Sequence, residues 1–98
     1  MYEIRKTDVF VRWLDTLADR RGRAKILARL DRVAEGNLGD TKPVGQGVAE
    51  LRIPFGPGYR VYYTKHRSVV VILLLGGDKS SQQKDIQRAI QISQDLEE

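Results

Sequence analysis
The sequence predicts an α+β domain. Three observations carry that prediction: apolar residues recur at helical spacing through residues 10–34, three strand-like segments follow between residues 48 and 75, and a capped helical segment closes the chain. The predicted order is strand, two helices, three strands, helix, with a small, mostly antiparallel sheet. At 98 residues the chain suits one domain, residues 1–98, with a single core.

Each element has a local reason. YEIRK (residues 2–6) alternates, with Tyr2 and Ile4 on one face and Glu3 and Arg5 on the other, which predicts a short first strand. Thr7 is a plausible cap, and Phe10, Trp13, Leu14 and Leu17 then recur at helical spacing. DRRG (19–22) interrupts the pattern before Ile26, Leu27, Leu30, Val33 and Ala34 mark a second helix that Gly36 would end. The two form a helical hairpin. Trp13 shares the apolar stripe of Phe10 and Leu14, so a core role is expected of it rather than base stacking.

GNLGDTKPVGQG (36–47) is rich in Gly, Asn, Asp and Pro and predicts a long ordered loop. The strand candidates are VAELRIPF (48–55), YRVYYTK (59–65) and SVVVILLL (68–75), the last apolar on both faces and therefore expected to be interior and covered by helices. SSQQKDIQRAIQISQDLEE (80–98) predicts a terminal helix with Ile86, Ala89, Ile90 and Ser93 on one side, and Ser80 with Gln83 fits a capping box.

Composition excludes several classes. The chain has no cysteine, so it has neither a disulfide framework nor thiolate chemistry. The amino terminus carries charges where a signal peptide needs an apolar stretch, and VVVILLL is far short of the ~20 residues of a membrane span. A soluble, cytoplasmic protein is expected. The net charge is +4, and the excess is concentrated in residues 42–67, with five Lys/Arg against one acidic residue. Such an excess is either a solvated face or an attractor of phosphates, nucleic acid or an acidic partner.

GPGYRVYYT (56–64) reads as a hairpin turn running into a strand. With Gly56–Gly58 as the loop, Phe55 would lie opposite Tyr59, Ile53 opposite Val61 and Leu51 opposite Tyr63, all six on the core face. Pro54 with Arg60 and Arg52 with Tyr62 then share the other face. Arg52, Arg60 and Tyr62 are thereby expected to make a cationic and aromatic patch on the open side of the sheet, its like charges balanced by an external anion. GGDKSS (76–81) adds Lys79 where a buried strand enters a capped helix, a place that favours anions.

The segments GDTKPVGQGVAELRIPFGPGYRVYY and LLLGGDKSSQQKDI, in this order behind a strand and helical hairpin, resemble the addiction-module killer proteins of the RelE/HigB toxin group, within the wider RelE/ParE superfamily. The resemblance covers nearly the whole chain. It implies a small sheet with two helices on one face. It also implies a toxin that cleaves messenger RNA, usually in the ribosomal A site, until an antitoxin neutralises it. The antitoxin of such a pair commonly resembles a helix-turn-helix protein from the neighbouring gene.

By this resemblance Arg60 would hold the scissile phosphate as the 2′-hydroxyl attacks, a task suited to a permanently charged, two-pronged side chain. Arg52 would be a second clamp, and Lys79 would approach the phosphate or protonate the 5′-oxygen. Lys42 and Tyr62 would contact the RNA backbone and stack on a base. RNA carries its own nucleophile, so the implied chemistry needs no metal and no cofactor. Arginine is no general base, and Lys79 or Lys42 could act as one only with a lowered pKa. His66, the sole histidine, is expected at the far end of the hairpin. Two other readings share the pattern: a ParE-like gyrase inhibitor, and a non-catalytic RNA- or protein-binding module.

Overall fold
A computed structural model describes residues 1–96; the last two positions of the expected terminal helix, 97 and 98, lie outside the described residues. The elements are β1 (Glu3–Lys6), α1 (Asp8–Asp15), α2 (Arg20–Ala34), β2 (Thr41–Gly45), β3 (Val48–Ile53), β4 (Tyr59–His66), β5 (Val70–Asp78), a 3₁₀ turn (Lys79–Ser81) and α3 (Gln82–Leu96). The five strands form one sheet in the order β1-β5-β4-β3-β2, antiparallel except for the parallel β1–β5 pair. The α+β class and the mostly antiparallel sheet are as the sequence predicts.

Helices cover both faces. Phe10 and Leu14 of α1 and Ile26, Leu30 and Val33 of α2 pack on one side against Leu51, Ile53, Tyr59, Val61, Tyr63, Val71 and Leu73. On the other side Ala89 of α3, with Ile86 and Ile90, packs against Val48, Tyr62, Leu74 and Leu75. Leu74 and Leu75 reach the same face because the β4–β5 register shifts between Tyr62 and Tyr63, leaving one extra residue on β5. Thr7 caps α1 as expected: its hydroxyl accepts from Phe10 N at 3.1 Å and donates to Leu74 O at 2.7 Å.

The structure corrects five expectations. First, residues 41–45 form a strand inside the stretch predicted as a loop. β2 is an edge strand, where Pro43's missing N–H costs no ladder bond. Its turn into β3 places Gln46 at φ 52° and Gly47 at φ 79°, two successive left-handed residues suited to a tight hairpin.

Second, α2 starts at Arg20, within the DRRG interruption, because the Asp19 carboxylate caps it by accepting from Gly22 N at 3.0 Å. Third, the β3–β4 register differs by two residues: Ile53 faces Tyr59, Arg52 faces Arg60, Leu51 faces Val61 and Glu50 faces Tyr62. Residues 54–58 are all turn, with Gly58 N bonded to Phe55 O at 3.1 Å. An even shift keeps every side chain on its expected face, and the six residues assigned to the core side do pack there.

Fourth, Asp78 rather than Ser80 caps the last helical segment, accepting from Ser80 N at 2.9 Å. Fifth, the face of Arg52, Arg60 and Tyr62 is not open, because α3 lies across it.

Candidate functional site
The sheet sets out the expected site residues in two cross-strand rows. Asp40 joins the first row beside β3, its carbonyl accepting from Arg52 N at 3.0 Å; Arg52 then faces Arg60, and Arg60 faces Gly77. The second row runs Lys42, Glu50, Tyr62, Leu75. Paired residues share a face, so Arg52, Arg60 and Tyr62 of the central strands, and Lys42 of the edge strand, point to the side of α3.

Glu50 is the residue that sequence reasoning missed. Its carboxylate is buried beneath α3, accepts from Gln82 Nε2 at 2.9 Å, and lies 3.2 Å from Arg52 Nε and 3.6 Å from Arg60 Nε. The two arginines are balanced from within the chain, which corrects the expectation of an external counter-anion. Alternation in VAELR already placed Glu50 on the same face as Arg52, and that was the signal available.

Neither Nε atom makes a well-aligned hydrogen bond. Arg60 also directs Nη1 at the carbonyls of Gly58 and Tyr59, at 3.3 and 3.4 Å. These contacts are long, so the guanidinium is held by charge more than by directed bonds. The Arg60 side chain is 13% exposed and that of Arg52 is 36% exposed, so each keeps donors within reach of a ligand.

Lys79 joins them through the turns. A Cβ on Gly58, which sits at φ 81°, would stand 3.5 Å from Lys79 Cβ and 3.6 Å from Arg60 Nη1. The β3–β4 turn and the start of the 3₁₀ turn therefore meet at Gly58, and Lys79, exposed, stands beside Arg60. Lys42 is exposed on the edge strand, one position across from Glu50. His66 ends β4 opposite Val70, at the far end of the hairpin. Tyr62 is wholly buried, so its ring presents no free face to a base. Burial first, and the neighbouring Glu50 charge second, push its phenol well above the ordinary value, and its hydroxyl has no hydrogen-bond partner.

Two supports outside the patch fix its frame. Arg29 of α2, 6% exposed, donates to the carbonyls of Arg52 at 2.6 Å, Leu38 at 2.7 Å and Asp40 at 2.8 Å, tying α2 to the ends of β3 and the preceding loop. Burial draws its pKa down, with Arg32 acting in the same direction. Tyr59 Oη donates to Asp19 Oδ2 at 2.7 Å, joining the first residue of β4 to the cap of α2. The bond raises Tyr59 to about 12. Asp19 is lowered, first by Gly22 N–H and then by Tyr59.

The model of the family described as "Phage derived protein Gp49-like (DUF891)" matches residues 12–96. A protein of Haemophilus influenzae, described as uncharacterized, is 50% identical over 94 residues, covering 96% of this chain and 95% of its own length. The family match spans every residue of the candidate site.

Proposed function
Because the chain belongs to the Gp49-like family of phage-derived proteins, we propose that it is the toxin of a type II toxin–antitoxin pair and acts as a ribosome-dependent, metal-independent messenger RNA endoribonuclease. The observation that carries this reading is the Arg52–Arg60 pair, directly opposed across the sheet, with Lys79 brought beside Arg60 at Gly58. Three cations at one corner, the two arginines restrained by one buried carboxylate, form a preorganised phosphate clamp. The resemblance to RelE/HigB killer proteins supports the same assignment.

In the proposed reaction the RNA 2′-oxygen bonds to phosphorus as the bond from phosphorus to the 5′-oxygen breaks. Arg60 meets the charge that builds on the non-bridging oxygens, Arg52 steadies the phosphate, and the Lys79 ammonium gives a proton to the departing 5′-oxygen. The 2′-hydroxyl proton passes to solvent, and the ribosome supplies part of the alignment. Lys42, on the edge strand, lies where the RNA backbone would continue. The natural partner is an antitoxin of helix-turn-helix type that masks this corner or keeps the toxin from the ribosome.

The test is a map of new RNA 5′ ends within minutes of inducing the protein without antitoxin, with Arg60→Ala in parallel. New ends inside translated codons, absent in the variant, are expected. Growth arrest with no new ends and a DNA-damage response would instead assign a gyrase inhibitor.

A further inference from the structure
A well-formed cleft lies beside the arginine pair. This cleft of about 420 Å³ opens between α1 and α3 at the outer edge of β5. Arg12 and Trp13 of α1 form one wall, Asp85 and Arg88 of α3 the other, and Gly76 and Gly77 the floor. The floor exists because β1 pairs with β5 only as far as Leu73. Neither glycine admits a side chain: a Cβ at 76 would collide with the Trp13 ring, and one at 77 with the Asp85 carboxylate. Gly77 is also the ladder partner of Arg60, so one strand spacing of about 4.8 Å separates the cleft floor from the backbone that carries the phosphate clamp.

The lining has a mixed chemistry. Arg12 and Arg88 are both exposed and take part in no ion pair among the described residues. The carboxylates are already engaged inside the chain: Asp85 Oδ2 accepts from Ser81 Oγ at 2.6 Å, and Asp78 Oδ1 from Ser80 N and Oγ at 2.9 and 2.5 Å. Each keeps its second oxygen as an acceptor. A fitting ligand therefore brings an anion for the arginines, N–H or O–H donors for the carboxylates, and a flat apolar surface for the indole. A nucleotide has all three. Inorganic phosphate or a run of acidic residues satisfies the arginines but meets Asp78 and Asp85 as like charges.

We propose that this cleft holds one nucleotide of the RNA strand, the neighbour of the phosphate at Arg60, with its outer phosphate between Arg12 and Arg88. This proposal rests on the ribonuclease reading above. It gives the RNA a path from the clamp, past Gly77, into a pocket that reads a base through the free oxygens of Asp78 and Asp85.

Trp13 is the only tryptophan of the chain, so its emission reports directly on the cleft. The probe is a mixed-sequence 2′-O-methyl RNA tetranucleotide, which binds but cannot be cleaved, with hexaglutamate as the competing acidic peptide. A saturable change in Trp13 emission with the RNA is expected, with a Kd raised about tenfold or more in the Arg12→Gln/Arg88→Gln double variant, since two charge-assisted contacts are removed. Arg12→Lys, keeping the charge, should recover part of the loss, and the circular dichroism of each variant confirms the fold. An unchanged emission, a double variant that binds like the parent, or a stronger response to hexaglutamate overturns the proposal. The two readings fail separately. If Arg60→Ala abolishes new 5′ ends while the tetranucleotide leaves Trp13 unmoved, the cleft assignment falls and the ribonuclease stands. If the tetranucleotide binds through Arg12 and Arg88 but induction yields no new ends, the ribonuclease falls and a nucleotide site remains.

Discussion

Glu50 Oε2 lies 3.6 Å from Arg60 Nε and 3.2 Å from Arg52 Nε, so the two opposed arginines share one buried carboxylate. The cations are thus held in place before any ligand arrives, and an incoming phosphate must compete with a negative charge already in the site.

Replacing Glu50 by glutamine separates these effects. Glu50→Gln keeps the shape and removes the one carboxylate the two facing cations share, leaving Arg52 only the more distant Asp40 at 4.0 Å, so it is expected to destabilise the fold by about 2 kcal/mol. The same change should tighten binding of an uncleavable RNA at low salt, because the competing anion is gone. Urea unfolding and RNA titration check both directions, and an unchanged stability would show that Glu50 does not balance the pair.

Arg29 offers a test of the frame. Arg29→Met removes donors from three carbonyls, those of Arg52, Leu38 and Asp40, and a loss of about 3 kcal/mol is expected. Faster hydrogen exchange should appear at the amides of 38–41 and 52, away from α3. A uniform loss over the whole chain would contradict a local tie.

Tyr62→Phe should be close to neutral or slightly stabilising, since the deleted hydroxyl is buried without a partner. RNA cleavage should persist in the variant. Loss of cleavage with stability intact would return Tyr62 to a direct role that its burial argues against.

The Asp19–Tyr59 bond makes stability depend on pH at both ends of the scale. Asp19 has a folded pKa below its ordinary 3.8, so its contribution is complete above that value and is lost as pH falls through the lower folded one. Tyr59 has a folded pKa raised from 10.0 to about 12, so its contribution is complete below 10.0 and is lost as pH rises through about 12. Asp19→Asn should flatten both limbs relative to the parent. Unfolding midpoints measured from acid to alkaline pH would refute the coupling if only one limb changed.

Much of the fold was legible because its signals are local. Alternation in YEIRK and helical spacing through Phe10, Leu14, Ile26 and Leu30 depend on residues a few positions apart, and Thr7 caps a helix that begins beside it. The same alternation put Arg52 and Arg60 on one face, and an even register shift could not undo that. β2 was hidden for the opposite reason. Its Pro and Gly content speaks for a loop, and only its place at the sheet edge makes a strand of it.

What the tertiary structure decided were the relations across strands and between layers. The five-residue turn at 54–58 made Arg52 and Arg60 direct neighbours. α3, folding back across the sheet, buried Tyr62 and turned Glu50 from a surface acid into the shared counter-charge of the pair. Meeting turns set Lys79 beside Arg60, and the early end of β1 opened the cleft at Gly76 and Gly77. Side-chain periodicity is a property of the local backbone and travels with the sequence. Register, layer coverage and charge pairing arise when distant segments compete for the same buried space, and no short window of sequence contains that competition.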